Sequence, residues 1–151
     1  MRLATVILLA TATALGGACS GKLTPPTSPG DVAARDLGGS YRYLAFDSAG
    51  TLLLEGQLVL APLDISTLTG TCVIQWAPGA DTTQPVGPQV GSGLVHGVPA
   101  GDRRHLSLTP GLADNNVDLL AGVQEGDLAG VWAHSIITGP HSGGSFQAVR
   151  E

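Results

Sequence analysis

The sequence predicts an all-β fold, a small eight-stranded antiparallel up-and-down barrel over residues 39–151, and three observations predict it. Short runs of alternating apolar and polar residues follow one another from Gly39 onward. Clusters of Gly, Pro, Asp and Asn interrupt these runs about every dozen residues. Glycines recur inside the runs, at Gly56, Gly70, Gly93, Gly122 and Gly130, where they weaken a flat sheet but suit one that coils on itself. Nothing in this stretch keeps a helical period for three turns. A two-sheet β-sandwich would give the same alternation; the barrel is preferred because closure removes exposed strand edges.

Ahead of the barrel, Met1-Arg2 leads into an apolar run from Leu3 to Leu15, then Gly16-Gly17-Ala18-Cys19. One positive charge, a short hydrophobic stretch and small residues at its end are the parts of a secretory signal peptide. The run is shorter than the ~20 residues a membrane-spanning helix needs. These residues resemble the lipobox of bacterial lipoproteins, with Gly16 where the commonest form has Leu. The resemblance implies removal of residues 1–18, lipidation of Cys19 with fatty acids such as palmitate, and a membrane-anchored protein of the cell envelope. Ser20 beside that cysteine implies the outer membrane. The alternative is ordinary cleavage after Ala18, leaving a secreted or periplasmic soluble protein. Residues 19–38, with Pro25, Pro26 and Pro29, read as the lipidated N-terminus and a linker.

Strands are expected over residues 40–47, 51–60, 68–76, 89–97, 103–109, 117–123, 128–135 and 145–150. Successive strand residues face opposite sides, which assigns the core. Leu52, Leu54, Leu58 and Leu60 share one face; Leu68, Cys72, Ile74 and Trp76 share another; Leu128, Trp132, His134 and Ile136 line up together. Asp47-Ser48-Ala49-Gly50 begins with a side-chain acceptor and ends on a residue free to take positive φ, and Val98-Pro99-Ala100-Gly101 suits a type I turn.

Gly130-Val131-Trp132 in an eight-stranded meander resembles the lipocalin-type (calycin) barrels, which carry a Gly-X-Trp signature and often hold a small apolar ligand. In that family the signature lies on the first strand, and here it falls on the seventh, so only the architecture is implied.

Composition excludes one class outright. Seven Lys and Arg against twelve Asp and Glu give a net charge of −5. No nucleic-acid partner is expected, because such binding draws on clustered cations. No metal or cofactor is expected either. His96, His105, His134 and His141 show none of the short spacings of metal sites. Asp114, Asn116, Asp118 and Glu125 fall at the spacing of a calcium loop, but Leu119 stands where such a loop needs Gly, and the flanks read as strands. No nucleophile–base pair is visible, so a non-catalytic protein is expected. Cys72 reads as a small buried hydrophobe, unpaired if Cys19 carries lipid; an unmodified Cys19 would permit a bridge between the two.

The candidate ligand-binding residues, at the barrel interior or rim, are Trp76, His96, Trp132 and His134. Strand parity puts His134 with Trp132 and His96 with Leu94. His141 and Ser142 fall in a Gly-rich segment, 139–144, that reads as a flexible turn. Arg103-Arg104 reads as a solvated basic pair in a tight turn. The long connection 77–88 is the expected partner surface. The expected partners are the membrane, through the lipid, and a small apolar ligand or an envelope protein. A structural or protein-interaction module with a fully packed barrel, or a small inhibitor, is the alternative.

Overall fold

The computed structural model of the protein describes residues 33–109 and 115–151. The signal-like segment, Cys19, most of the linker and Asp114 lie outside the described residues. Eight strands run β1 (Gly39–Phe46), β2 (Leu52–Pro62), β3 (Leu68–Trp76), β4 (Gly91–Ala100), β5 (Arg103–Leu108), β6 (Asn115–Gln124), β7 (Asp127–Ile136) and β8 (Gly139–Arg150). Each pairs antiparallel with the next, and β8 returns to β1, closing the barrel. The sandwich alternative is thereby set aside.

Closure demands strong coiling, and the mid-strand glycines show where it happens. A Cβ at Gly56, Gly70 or Gly130 would lie 2.0 to 2.2 Å from a carbonyl oxygen of the neighbouring strand, so no larger residue fits there. Gly122 has room for a side chain and bends nothing.

The inward positions are those that alternation assigned. Tyr41, Tyr43 and Ala45 of β1, Leu54, Leu58 and Leu60 of β2, Leu68, Cys72 and Ile74 of β3, and their counterparts around the ring are buried. Extra apolar cover comes from Leu53, where a register shift between Ala45 and Phe46 leaves it opposite no residue of β1 and buries it beside Leu54. The outer wall mixes Arg42, Glu55, Gln57, Thr69, Thr71 and Gln75 with the exposed apolar residues Val59, Val73, Leu94, Val131 and Val149. No helix among the described residues is long and apolar enough to cross a membrane.

Several boundaries differ from expectation. β4 continues through Pro99 to Ala100, and the hairpin turns instead at Gly101-Asp102, with Gly101 at φ 62°. Residues 139–144 are strand, not a flexible turn: Gly143 pairs with Ala133 and Ser142 with His134, beside a register shift between His134 and Ser135. Ala34–Leu37 forms a 3-10 turn with Ala34 and Leu37 buried, so packing begins inside the segment assigned to the linker. Arg104 is not solvated. It points into the barrel at 4% exposure, and its Nη1 donates to the Ser66 carbonyl at 2.8 Å; Arg103 is the exposed member of the pair.

The two ends of the barrel close differently. At the terminal end the 3-10 turn lies across the opening, and the Tyr41 hydroxyl donates to the Leu37 carbonyl at 2.8 Å. Arg150 Nη2 donates to the Gly38 carbonyl, while its guanidinium lies 5.7 Å from the Tyr41 ring centre. At the loop end the connection 77–90 turns inward and fills the mouth with Val86 and Gln89, both buried.

Candidate functional site

The loop end is where the site is built, from β1, β7, β8 and the connection 77–90. Tyr43 points inward from β1 because parity puts it there, and a buried phenol needs a partner. Its hydroxyl donates to Gln89 Oε1 at 2.8 Å, and Gln89 Nε2 donates back to the Val86 carbonyl at 2.8 Å. Burial holds the Tyr43 hydroxyl neutral far above the ordinary tyrosine range, with the Cys72 thiol adding to that effect. Phe146 of β8 lies alongside, with ring centres 5.9 Å apart. Trp132 of β7 is buried, and its indole N–H donates to the Phe46 carbonyl at 2.8 Å.

His134, one inward step beyond Trp132, meets the loop directly. Gly87, at φ 67°, packs so closely that a Cβ there would lie 2.5 Å from His134 Cδ2. The imidazole is 6% exposed. Its Nε2 is 2.5 Å from Asn115 Oδ1. Its Nδ1 is the one buried side-chain polar atom without a hydrogen-bond partner among the described residues. His141 stands edge-on, ring centres 5.5 Å apart. Burial pushes the His134 pKa below its ordinary value and the neighbouring His141 adds to this; the Pro85 carbonyl pulls partly the other way. That carbonyl also accepts from Ser142 Oγ, tying the loop to β8.

Beside the loop lies a cleft of about 240 Å³ lined by Leu53, Val86 and Trp132 on the apolar side and by Asp47, Gln84 and Ser142 on the polar side. A cleft of about 280 Å³ at the other end, between Glu125, Asp127 and Gln147, follows the last turn and the outer wall of β7 and β8, and no unpartnered buried polar atom faces it.

Of the four candidate residues, the structure brings two together. Trp132 and His134 share the loop end. Trp76 closes β3 half-buried against the core and pairs with Leu54. His96 points outward, exposed like Leu94, so it belongs to neither interior nor rim. The connection 77–88, expected to offer a partner surface, presents residues 78–79 and 81–85 to solvent, while Ala77 and Val86 are buried. Tyr43, Gly87 and Gln89 were not singled out. An inward tyrosine in a barrel this narrow was the available signal, since its hydroxyl had to find an acceptor.

Elsewhere the chemistry is structural. Asp118 faces out, opposite in direction to Leu119, and its Oδ1 lies 2.8 Å from His105 Nε2 on the outer wall. Glu125 sits in the β6–β7 turn, in no loop with Asp118. Cys72 is buried in mid-barrel, and burial pushes its thiol pKa up, the opposite of what a nucleophile needs. The chain matches no model of a known protein family, and no curated protein is similar to it in sequence.

Proposed function

We propose that this protein is a non-catalytic, lipid-anchored binding module of the bacterial cell envelope, whose barrel is a rigid scaffold and whose loop end engages a small apolar ligand. The observation that supports it most is the make-up of that end. An apolar mouth with Tyr43 and Trp132 is filled by residues of the connection 77–90, Val86 and Gln89, and not by strand side chains alone. Ligand sites are commonly apolar concavities with a few placed polar groups, and the mouths of barrels are common locations for them. The reading requires the connection 77–90 to shift, since Val86 and Gln89 already fill the mouth.

Anchoring is the second half of the proposal, and it rests on the resemblance of residues 16–19 to a lipobox. Each buried acyl CH₂ contributes about 0.8 kcal/mol, so several chains on Cys19 would hold the domain at a membrane. Outer-membrane sorting follows from Ser20 by the same resemblance. Labelled palmitate is expected to enter the wild type and not Cys19→Ser; equal labelling removes the anchor from the proposal.

Binding is tested by tryptophan fluorescence titrated with fatty acids and neutral apolar compounds, because Trp132 borders the mouth. A saturable change supports a ligand-binding module. A flat response across the panel favours the second reading, a packed barrel that acts through its surface, for which the filled interior is the supporting observation.

A further inference from the structure

We propose that the loop end is a ligand seat which the chain fills with its own residues: Val86 and Gln89 stand in for a small apolar molecule bearing one carbonyl or amide oxygen, and charging His134 releases them. The inference rests on the reading of the protein as a binding module and adds the ligand class and its control.

The ligand class follows from what the barrel offers the loop. The Tyr43 hydroxyl is the donor that reaches the tip of the plug, and it meets a side-chain amide oxygen at 2.8 Å. The amide nitrogen of Gln89 turns back to the loop's own Val86 carbonyl and asks nothing of the barrel. The Trp132 indole N–H is committed to Phe46. With the loop withdrawn, the Tyr43 hydroxyl would be left without its acceptor in a bowl of Phe146, Trp132, Leu53 and Leu54, with Ser142 and His134, also released by the loop, beside it among the described residues. Such a seat selects a single acceptor on an apolar body, because a molecule without the acceptor leaves a buried donor unpaired.

The loop is made to leave as a unit. Asp81 knits its outer part together, accepting from the Thr83 amide at 3.0 Å, the Thr83 hydroxyl at 2.6 Å and Gln84 Nε2 at 3.0 Å. Its attachments to the barrel in the mouth are Gln89 to Tyr43, the Pro85 carbonyl to Ser142 and His134, Gly87 packed on His134, and Val86 in the apolar core.

His134 sets the pH at which it leaves. The groups facing the imidazole are neutral Asn115 on β6, Ser142 and titratable His141 on β8, and Pro85 and Gly87 of the loop. Among the described residues none of them is a carboxylate that could hold a charged imidazole under the plug. With the loop out, water reaches the ring and its pKa returns towards its ordinary 6.5. The open form therefore binds more protons than the closed one. Closure is fully favoured above 6.5 and weakens as the pH falls below it. The opening equilibrium therefore rises as the pH falls from about 7.5 to about 5.

The test uses prodan, a neutral naphthalene ketone whose fluorescence reports an apolar site, with the ketone-free dimethylaminonaphthalene as control. Wild type is expected to bind prodan several-fold tighter at about pH 5 than at about pH 7.5. His134→Gln, which cannot charge, should lose that dependence. Gly87→Ala drives a methyl into the imidazole and should bind prodan tightly at both pH values. Tyr43→Phe removes a bond that holds the plug as well as the donor to the ligand, so it should shrink the preference for prodan over the control probe about fivefold, whatever it does to both together. Equal pH dependence in wild type and His134→Gln overturns the latch while the binding module stands. An unchanged preference for prodan over the control in Tyr43→Phe overturns the ligand class. If Gly87→Ala keeps its circular dichroism, exposes its 77–90 amides to exchange and binds neither probe, seat and binding module fall together. If that variant does not fold, His134→Gln and Tyr43→Phe still decide the matter.

Discussion

The two ends of the barrel solve one problem in two ways. At the terminal end the 3-10 turn is locked by Tyr41, Arg150 and the chain's own carbonyls, and Arg104 reaches from inside to the Ser66 carbonyl. Every buried polar group there has a partner among the described residues. At the loop end the seal is a stretch of irregular chain, and it leaves His134 Nδ1 unpaired. A satisfied, cross-tied end belongs to the global fold. An end sealed by irregular chain over an imidazole nitrogen with no well-formed hydrogen bond is the part expected to open locally under the proposed reading. Damage at one end should unfold the molecule, and damage at the other should only uncover it.

The largest effect is expected from Leu37→Ala. Leu37 is fully buried across the terminal opening, and truncating such a residue costs about 2–5 kcal/mol. Denaturant unfolding should stay cooperative with its midpoint lowered. Separate loss of the terminal end, with the barrel retained, would erase the contrast.

Arg104→Met comes next. It removes a charge-assisted hydrogen bond from inside the barrel but keeps most of the apolar stem, so a loss of about 2 kcal/mol is expected in the same assay. No change would mean that the inward arginine contributes nothing to holding the 63–67 turn.

How far these ends could be read in the sequence depends on how local their causes are. All eight strands were legible because a period of two is written into neighbouring residues, and the inward sets of β2, β3 and β7 followed from parity alone. Turn positions were less legible where one residue signalled strongly. Pro99 suggested a turn yet sits in the ladder opposite Arg104, and the glycines of 139–144 suggested flexibility yet pair with β7. The candidate site was half legible. Trp132 and His134 came from parity, and His96 went astray because a strand's parity does not say which of its faces is the inner one. Tyr43 meets Gln89 across 46 positions of chain, and no local pattern encodes that contact. Arg104 looked solvated because charge is normally outside and the pair was placed in a turn, although its parity with Leu106 and Leu108 puts it on the inner face.

Alkaline titration compares the ends through their tyrosines, Tyr41 at the terminal end and Tyr43 beneath the plug. Burial raises both above the ordinary 10.0; for Tyr41 the charge of Arg150 works against the rise and that of Asp127 with it. A group whose pKa is raised by folding lends its stability in full below its unfolded value. It withdraws that stability as pH climbs past that value. For Tyr43 the loss is about 1.4 kcal/mol per pH unit above 10.0. Ultraviolet difference spectra should show Tyr43 ionising only together with opening of the mouth or unfolding. Smooth ionisation of Tyr43 in folded protein near its ordinary value would mean that the plug exchanges with an open mouth throughout.

The smallest effect on global stability is expected from Val86→Ala. Removing two buried carbons weakens the plug by about 1.6 kcal/mol, roughly fifteenfold in its opening equilibrium. Because the barrel persists when the loop lifts, most of that loss should appear as faster amide exchange in 77–90 and little of it in the denaturant midpoint. The same substitution at a position of the global core would shift both measurements together. The ratio of the two responses therefore measures the independence of the loop end. A midpoint shift as large as that of Leu37→Ala would make the two ends one cooperative unit, with no mouth to open.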